Sequence, residues 1–173
     1  DKTVSMFQDI APHKLNIEYK KIQPGAHDYI ISCGNNKVLI HEKDGLVLPT
    51  ISDVQKSYKL ETDQLIYLFN VDNEGLFLLP KMLPENEYLK YQDIRIFRHK
   101  QPEWISFGGA TAVHLARWYE NNRFCGRCAY PMTHKEDERA LYCPECGNIV
   151  YPRINPVVMV GIINDNKLLL TKY

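Results

Sequence analysis

Two cysteine pairs constrain this chain more than any other feature. They are Cys125-Gly126-Arg127-Cys128 and Cys143-Pro144-Glu145-Cys146, with fourteen residues between them. A Cys-x-x-Cys turn points both thiolates at one ion, and two such turns joined by a hairpin complete a tetrahedron. A closed four-thiolate site leaves no open coordination position, so it builds structure and does no chemistry. The spacing predicts one structural zinc ion per chain, held by Cys125, Cys128, Cys143 and Cys146. What the protein does must then come from the residues around that site.

Other uses of these cysteines fit less well. Two disulfides need an oxidising compartment, and nothing in the sequence points to secretion. A redox pair needs a single Cys-x-x-Cys at a helix start, not two in tandem. Iron uses the same four sulfurs in rubredoxin-like knuckles, which the Cys-Pro-Glu-Cys-Gly string resembles, and it stands as the alternative metal. Cys33 lies alone in an apolar run and reads as a buried strand thiol.

The chain has 173 residues, enough for one domain or two small ones. A chain of this length buries about 70% of its unfolded surface. Lys and Arg number 21 and so do Asp and Glu, so the net charge is zero. That balance argues against a dedicated nucleic-acid binder, though not against a local patch. No run of about 18 apolar residues marks a membrane span, and residues 1–20 lack an apolar signal core. The expectation is a cytoplasmic protein with reduced cysteines and no membrane partner.

The pattern reads as α+β. Residues 1–108 hold β-rich runs: Tyr29–Cys33 and Lys37–His41 around an Asn35-Asn36 turn, Leu46–Leu48, Leu65–Val71, and Leu76–Leu79 after the turn Asp72–Gly75. Glu85–Tyr91 reads as a short helix or an extended linker, and Asp93–His99 as a strand. Gly108-Gly109 reads as a break, with Thr111 capping a linking helix over 109–123. Ala112, Leu115, Ala116 and Tyr119 share one face of that helix. The cysteine segment spans 124–151, and its charged stretch Glu136–Arg139 reads as a solvated tip. Residues 152–173 read as a β-hairpin, Pro156–Ile163 and Lys167–Tyr173 around Asn164–Asn166, opening a larger domain.

The order helix, Arg-Phe-Cys-Gly-Arg-Cys, fourteen-residue arm, Cys-Pro-Glu-Cys-Gly and Val150-Tyr151-Pro152-Arg153-Ile154-Asn155-Pro156 closely resembles the NADH pyrophosphatase branch of the Nudix hydrolases. The resemblance is specific over 112–173 and loose before it, where the family carries a degenerate Nudix-like domain. It implies cleavage of the NADH or NAD pyrophosphate to nicotinamide mononucleotide and AMP, and removal of NAD caps from RNA. It further implies catalytic Mg or Mn beside the structural zinc, and a homodimer, for which the Leu115–Tyr119 face would suit as interface.

The family's signature, the glutamate-rich Nudix box that holds the catalytic metals, does not occur in these 173 residues. The resemblance implies that it would follow Tyr173, so the chain reads as an N-terminal fragment, inactive by itself. Three positions match the family's substrate contacts. Tyr151 could stack on the nicotinamide, Glu138 could accept hydrogen bonds from an amide or a ribose hydroxyl, and Arg95 could pair with a phosphate. From the residues alone, Tyr151 also suits packing of the ribbon onto the next strand, Glu138 a surface charge and Arg95 a solvent-facing strand. The competing reading is a zinc ribbon that binds nucleic acid or protein. Five basic residues against four acidic ones over 123–153 make that grip weak.

Overall fold

The computed structural model describes residues 7–43, 45–98, 102–158 and 160–170. Eight strands build the N-terminal part: β1 (Leu15–Asn16), β2 (Tyr29–Ile31), β3 (Cys33–Gly34), β4 (Lys37–Lys43), β5 (Gly45–Val47), β6 (Ile66–Val71), β7 (Glu74–Leu78) and β8 (Leu89–Asp93). One sheet runs β1-β6-β7-β2, with β7 and β2 parallel and the other pairs antiparallel. In the second, β4 pairs antiparallel with β3, β5 and β8. The β3–β4 hairpin is the one expected. Asn35 and Asn36 take φ of 51° and 60°, the left-handed pair that a two-residue turn of matching twist requires.

The strands are buried on both faces, which is why β2 and β4 read as unbroken apolar runs. Ile31, Val38 and Ile40 face the main core under the long helix α2 (Glu103–Asn121). Their neighbours Ile30 and Leu39 face a second cluster capped by α1 (Ile51–Gln55). The sequence reading missed α1, whose start is a reciprocal cap. The Asp53 amide donates to Thr50 Oγ1 at 3.1 Å, and the Thr50 amide donates to the Asp53 carboxylate at 3.2 Å. Burial alone would raise the Asp53 pKa, but hydrogen bonds from Thr50 and Lys56 outweigh it and hold the carboxyl down to about 2.

Several expectations need correction. The helix starts at Glu103 after Pro102, not beyond Gly108-Gly109. Both glycines lie inside it and are buried. A Cβ on Gly109 would come within 2.3 Å of the Phe97 ring, so the missing side chain lets segment 94–98 lie against the helix. Thr111 does not cap the helix; its hydroxyl donates back to the Phe107 carbonyl at 2.8 Å.

The strand expected over Asp93–His99 ends at Asp93 and turns into a 3-10 segment, Ile94–Arg98. The Asp93 carboxylate accepts from the Arg95 amide at 2.8 Å and so bends the chain. His99 lies outside the described residues. Glu85–Tyr91 is no helix; it leads into β8.

The Leu115–Tyr119 face is not free for a partner. Both side chains sit in the main core, 9% and 8% exposed. Finally, pairing after residue 151 is shorter than expected. Only β12 (Ile163–Asn164) and β13 (Lys167–Leu168) pair, β9 to β11 belonging to the cysteine segment below. Ile154 and Val157 are 90% and 94% exposed, as an apolar hairpin without a sheet beside it must be. Residues 171–173 of the expected second strand lie outside the described residues.

Candidate metal centre

The cysteine segment folds as two knuckles and a small sheet. Its strands β9 (Thr133–His134), β10 (Leu141–Tyr142) and β11 (Ile149–Val150) are antiparallel in the order β11-β10-β9. The knuckles repeat one backbone design. The Cys125 amide donates to the Tyr130 carbonyl at 2.8 Å and the Ala129 amide to the Cys125 carbonyl at 2.8 Å. In the second, the Cys143 amide donates to Asn148 O and the Gly147 amide to Cys143 O, both at 2.9 Å. The residue after the second cysteine is left-handed in each, Ala129 at φ 61° and Gly147 at 71°.

These turns bring the four sulfurs together, all within 4.8 Å of one another. Cys125 Sγ lies 3.6 Å from Cys146 Sγ, and Cys128 Sγ 3.5 Å from Cys143 Sγ. A tetrahedron with Zn–S bonds of about 2.3 Å has edges of about 3.8 Å, so the sulfurs fit one zinc ion. Amide N–H groups support the thiolates. The Arg127 amide donates to Cys125 Sγ at 3.4 Å, and with the Cys128 amide it draws the Cys125 thiol down to about 6. At Cys128 the Tyr130 amide also favours the thiolate. There, burial and the sulfurs of Cys143, Cys146 and Cys125 prevail and push the thiol up to about 12. Four thiolates crowded together need a cation between them.

Among the described residues, these cysteines are the one group of three or more potential metal ligands. Among the described residues, no carboxylate cluster stands beside them for the Mg or Mn expected for catalysis. Cys33 sits in β3, partly buried as read from the sequence, and burial pushes its thiol up to about 11.

The ribbon is clamped onto the N-terminal part. Leu141 joins the main core, and His134 stacks on Tyr119 with ring centroids 5.0 Å apart. The arm that was read as a solvated tip is partly turned inward. Arg139 donates to the carbonyls of Ile17, at 3.0 Å, and of Leu68, and its guanidinium lies over the Tyr19 ring. Tyr19 in turn donates to the Lys135 carbonyl at 3.2 Å. A charge run shows none of this, because the acceptors lie 122 and 71 residues earlier in the chain.

Two of the three expected substrate contacts meet. The half-exposed Tyr151 donates its hydroxyl to Glu138 Oε1 at 3.0 Å, and Lys135 Nζ reaches the same oxygen at 2.6 Å. Glu138 raises the pKa of both partners. Arg95 stands apart from them on the 3-10 segment. Its guanidinium grips Asp93 with Nε at 2.9 Å and Nη2 at 2.8 Å and holds that carboxyl down to about 2. Arg95 lines a hollow of about 320 Å³ with Arg98, His114 and Arg117, to which the sequence reading gave no substrate role. His114 Nε2 donates to the Arg153 carbonyl at 3.1 Å, so the hollow borders the stretch after Tyr151. Among the described residues, no helix is long and apolar enough to cross a membrane.

Fold and centre together define an α+β protein with a four-cysteine zinc ribbon docked on its core. Residues 120–151 match the family model of the NADH pyrophosphatase zinc ribbon domain, and this segment is a ribbon of that type. The chain is 34% identical over 107 residues to the NAD-capped RNA hydrolase NudC of Stutzerimonas stutzeri, covering 61% of this chain and 38% of that protein. Two further proteins of the same name are 40% identical over 63 residues in Chromobacterium violaceum and 41% over 61 in Pseudomonas entomophila. Those matches cover 36% and 35% of this chain, and 24% and 22% of the relatives. The chain thus spans less than two fifths of the relatives it matches. In this part it is similar to NADH pyrophosphatase-type Nudix hydrolases.

Proposed function

We propose that these residues are the ribbon-bearing part of a metal-dependent hydrolase that cleaves the pyrophosphate of NADH or NAD to nicotinamide mononucleotide and AMP. NAD-capped RNA would be a second substrate, the working protein a homodimer, and its compartment the cytoplasm. The observation that carries this reading is the ribbon itself: four sulfurs at zinc spacing, in a segment matched to the NADH pyrophosphatase ribbon.

In this reading, zinc holds the arm of residues 129–142 so that Glu138 stands beside Tyr151. The Tyr151 ring stacks on the nicotinamide, while Glu138 accepts hydrogen bonds from the substrate's amide or ribose hydroxyls. Lys135 pairs with Glu138, and Tyr151's hydroxyl fixes its orientation. Arg95 releases Asp93 to grip a phosphate; that pair is exposed on both sides and therefore weak. Mg or Mn would supply the charge stabilisation for pyrophosphate cleavage from ligands outside the described residues, and these 173 residues alone would not turn over NADH.

The test compares these residues alone with a polypeptide extended to the length of the relatives. With Mg or Mn, the longer protein should release AMP and nicotinamide mononucleotide. Tyr151→Ala should raise its KM about tenfold, the worth of a lost stacking contact. A longer protein that leaves NADH intact would overturn the reading, and turnover by 1–173 would refute the inactivity of this part. Sedimentation of the longer protein as a monomer would remove the dimer.

A further inference from the structure

A trough runs between the N-terminal sheet and the ribbon, and none of the roles above uses it. It consists of two hollows of about 790 and about 780 Å³ that share the walls Ile66, Pro80, Lys81, Tyr119 and His134. One extends past Arg123 to Phe124, the other past Tyr19 to Lys20 and Lys21. Each is as large as a small-molecule pocket, and together they form one depression suited to a polymer.

Its walls alternate rings and cations. The exposed His134 stands in the middle, its ring stacked on the buried Tyr119. At one end Phe124 is 58% exposed, with the Arg123 guanidinium 5.9 Å from its ring centre. Lys20, Lys21, Lys81 and Arg123 line the trough against two acids, Asp63 and Glu120. In a chain of zero net charge, that is a local excess of positive charge.

The lysines are open to a ligand. Lys20 and Lys21 hold only exposed partners, Glu18 at 3.1 Å and Glu136 at 3.4 Å, and such surface pairs yield at little cost. Lys81 donates to a neutral group, the Gln64 side-chain carbonyl, at 3.0 Å. Open grooves that interleave aromatic faces with cations bind single strands, the bases stacking on the rings while the phosphates meet the cations.

We propose that this trough is a binding track for a single-stranded polynucleotide. The inference deepens the reading above for its RNA substrate. The second hollow reaches Tyr19, which donates to the Lys135 carbonyl, and Lys135 pairs with Glu138 at 2.6 Å. Lys135 thus links the Tyr19 end of the track to the Tyr151–Glu138 pair. Nucleotides joined to a dinucleotide held there would lead into the trough.

The test uses the zinc-loaded chain and a labelled, uncapped oligoadenylate of about twelve nucleotides, read by fluorescence anisotropy at low and moderate salt. Lys81→Glu and Arg123→Glu should each weaken binding about fivefold and flatten its salt dependence. Phe124→Ala should weaken it about tenfold and leave the salt slope unchanged. Lys81→Gln, with circular dichroism and zinc content as controls, separates charge loss from misfolding. No binding at low salt, affinity indifferent to these substitutions, or equal affinity for a duplex of the same length would each overturn the track. Because the probe has no cap, the outcome is independent of whether the longer protein cleaves NADH. Binding of the probe by this chain, together with a longer protein that leaves NADH intact, would sink the hydrolase reading alone.

Discussion

Replacing Gly109 by alanine sets two effects of known size against each other. In a helix interior alanine is favoured over glycine by about 1 kcal/mol, so local propensity alone makes Gly109→Ala stabilising. The new Cβ, however, would lie 2.3, 2.5 and 2.8 Å from three atoms of the Phe97 ring. Phe97 is 2% exposed and belongs to the main core. Swinging its ring into water would forfeit about 2–3 kcal/mol of burial, and keeping it in place incurs overpacking of about 1–3 kcal/mol. The net expectation is a loss of about 1–2 kcal/mol.

Gly108 provides the control. Its Cβ would meet Val71 at 3.6 Å and Leu76 at 3.8 Å, ordinary contacts, so Gly108→Ala should gain about 0.5–1 kcal/mol. Adjacent and chemically identical substitutions should therefore move stability in opposite directions. Urea unfolding with zinc in excess, followed by the fluorescence of Trp104 and Trp118, measures both. Combining Gly109→Ala with Phe97→Leu should erase most of the penalty, a non-additivity expected only of groups in contact. A Gly109→Ala protein as stable as its parent would refute the steric argument.

Other predictions bear on the ribbon and the caps. Chelating the metal, or Cys143→Ser, should unfold residues 124–151, since metal binding there is folding free energy on the order of 10 kcal/mol; intact amide protection around Leu141 after chelation would contradict this. Arg139→Met should cost about 2–3 kcal/mol through two carbonyls robbed of a charged donor, measured by the same urea titration. Asp53, with a folded pKa of about 2 against about 3.9 in an unfolded chain, contributes about 2 kcal/mol that is complete above pH 4 and fades as pH falls to 2. Asp53→Asn should flatten that acid limb, and an unchanged pH profile would remove the carboxylate from it. Thr50→Ala, which takes away the other half of the cap, should cost about 1 kcal/mol.

What the sequence revealed follows how local each cause is. The Cys-x-x-Cys turns, the Asn35-Asn36 hairpin and the strands β6 and β7 are set by residues within a few positions of one another, and all could be read. The helix start could not, because the reason for Gly109 is a ring twelve residues earlier that folding brings alongside. Asp93 ended a strand that alternation extended, since one side chain accepting a backbone amide outweighs a two-residue period. The meeting of Tyr151 with Glu138 was foreseen only as two separate contacts. Arg139 read as solvated because its acceptors, Ile17 and Leu68, are legible only once the ribbon has docked.

That docking has a thermodynamic corollary. The guanidinium on the metal-bound arm donates to a carbonyl 122 residues earlier, so metal affinity and the folding of the chain's beginning are two faces of one coupling. By reciprocity, whatever loosens residues 17–21 must lower the affinity for zinc by the same factor by which losing zinc loosens residues 17–21. A zinc titration would thus register damage far from any cysteine.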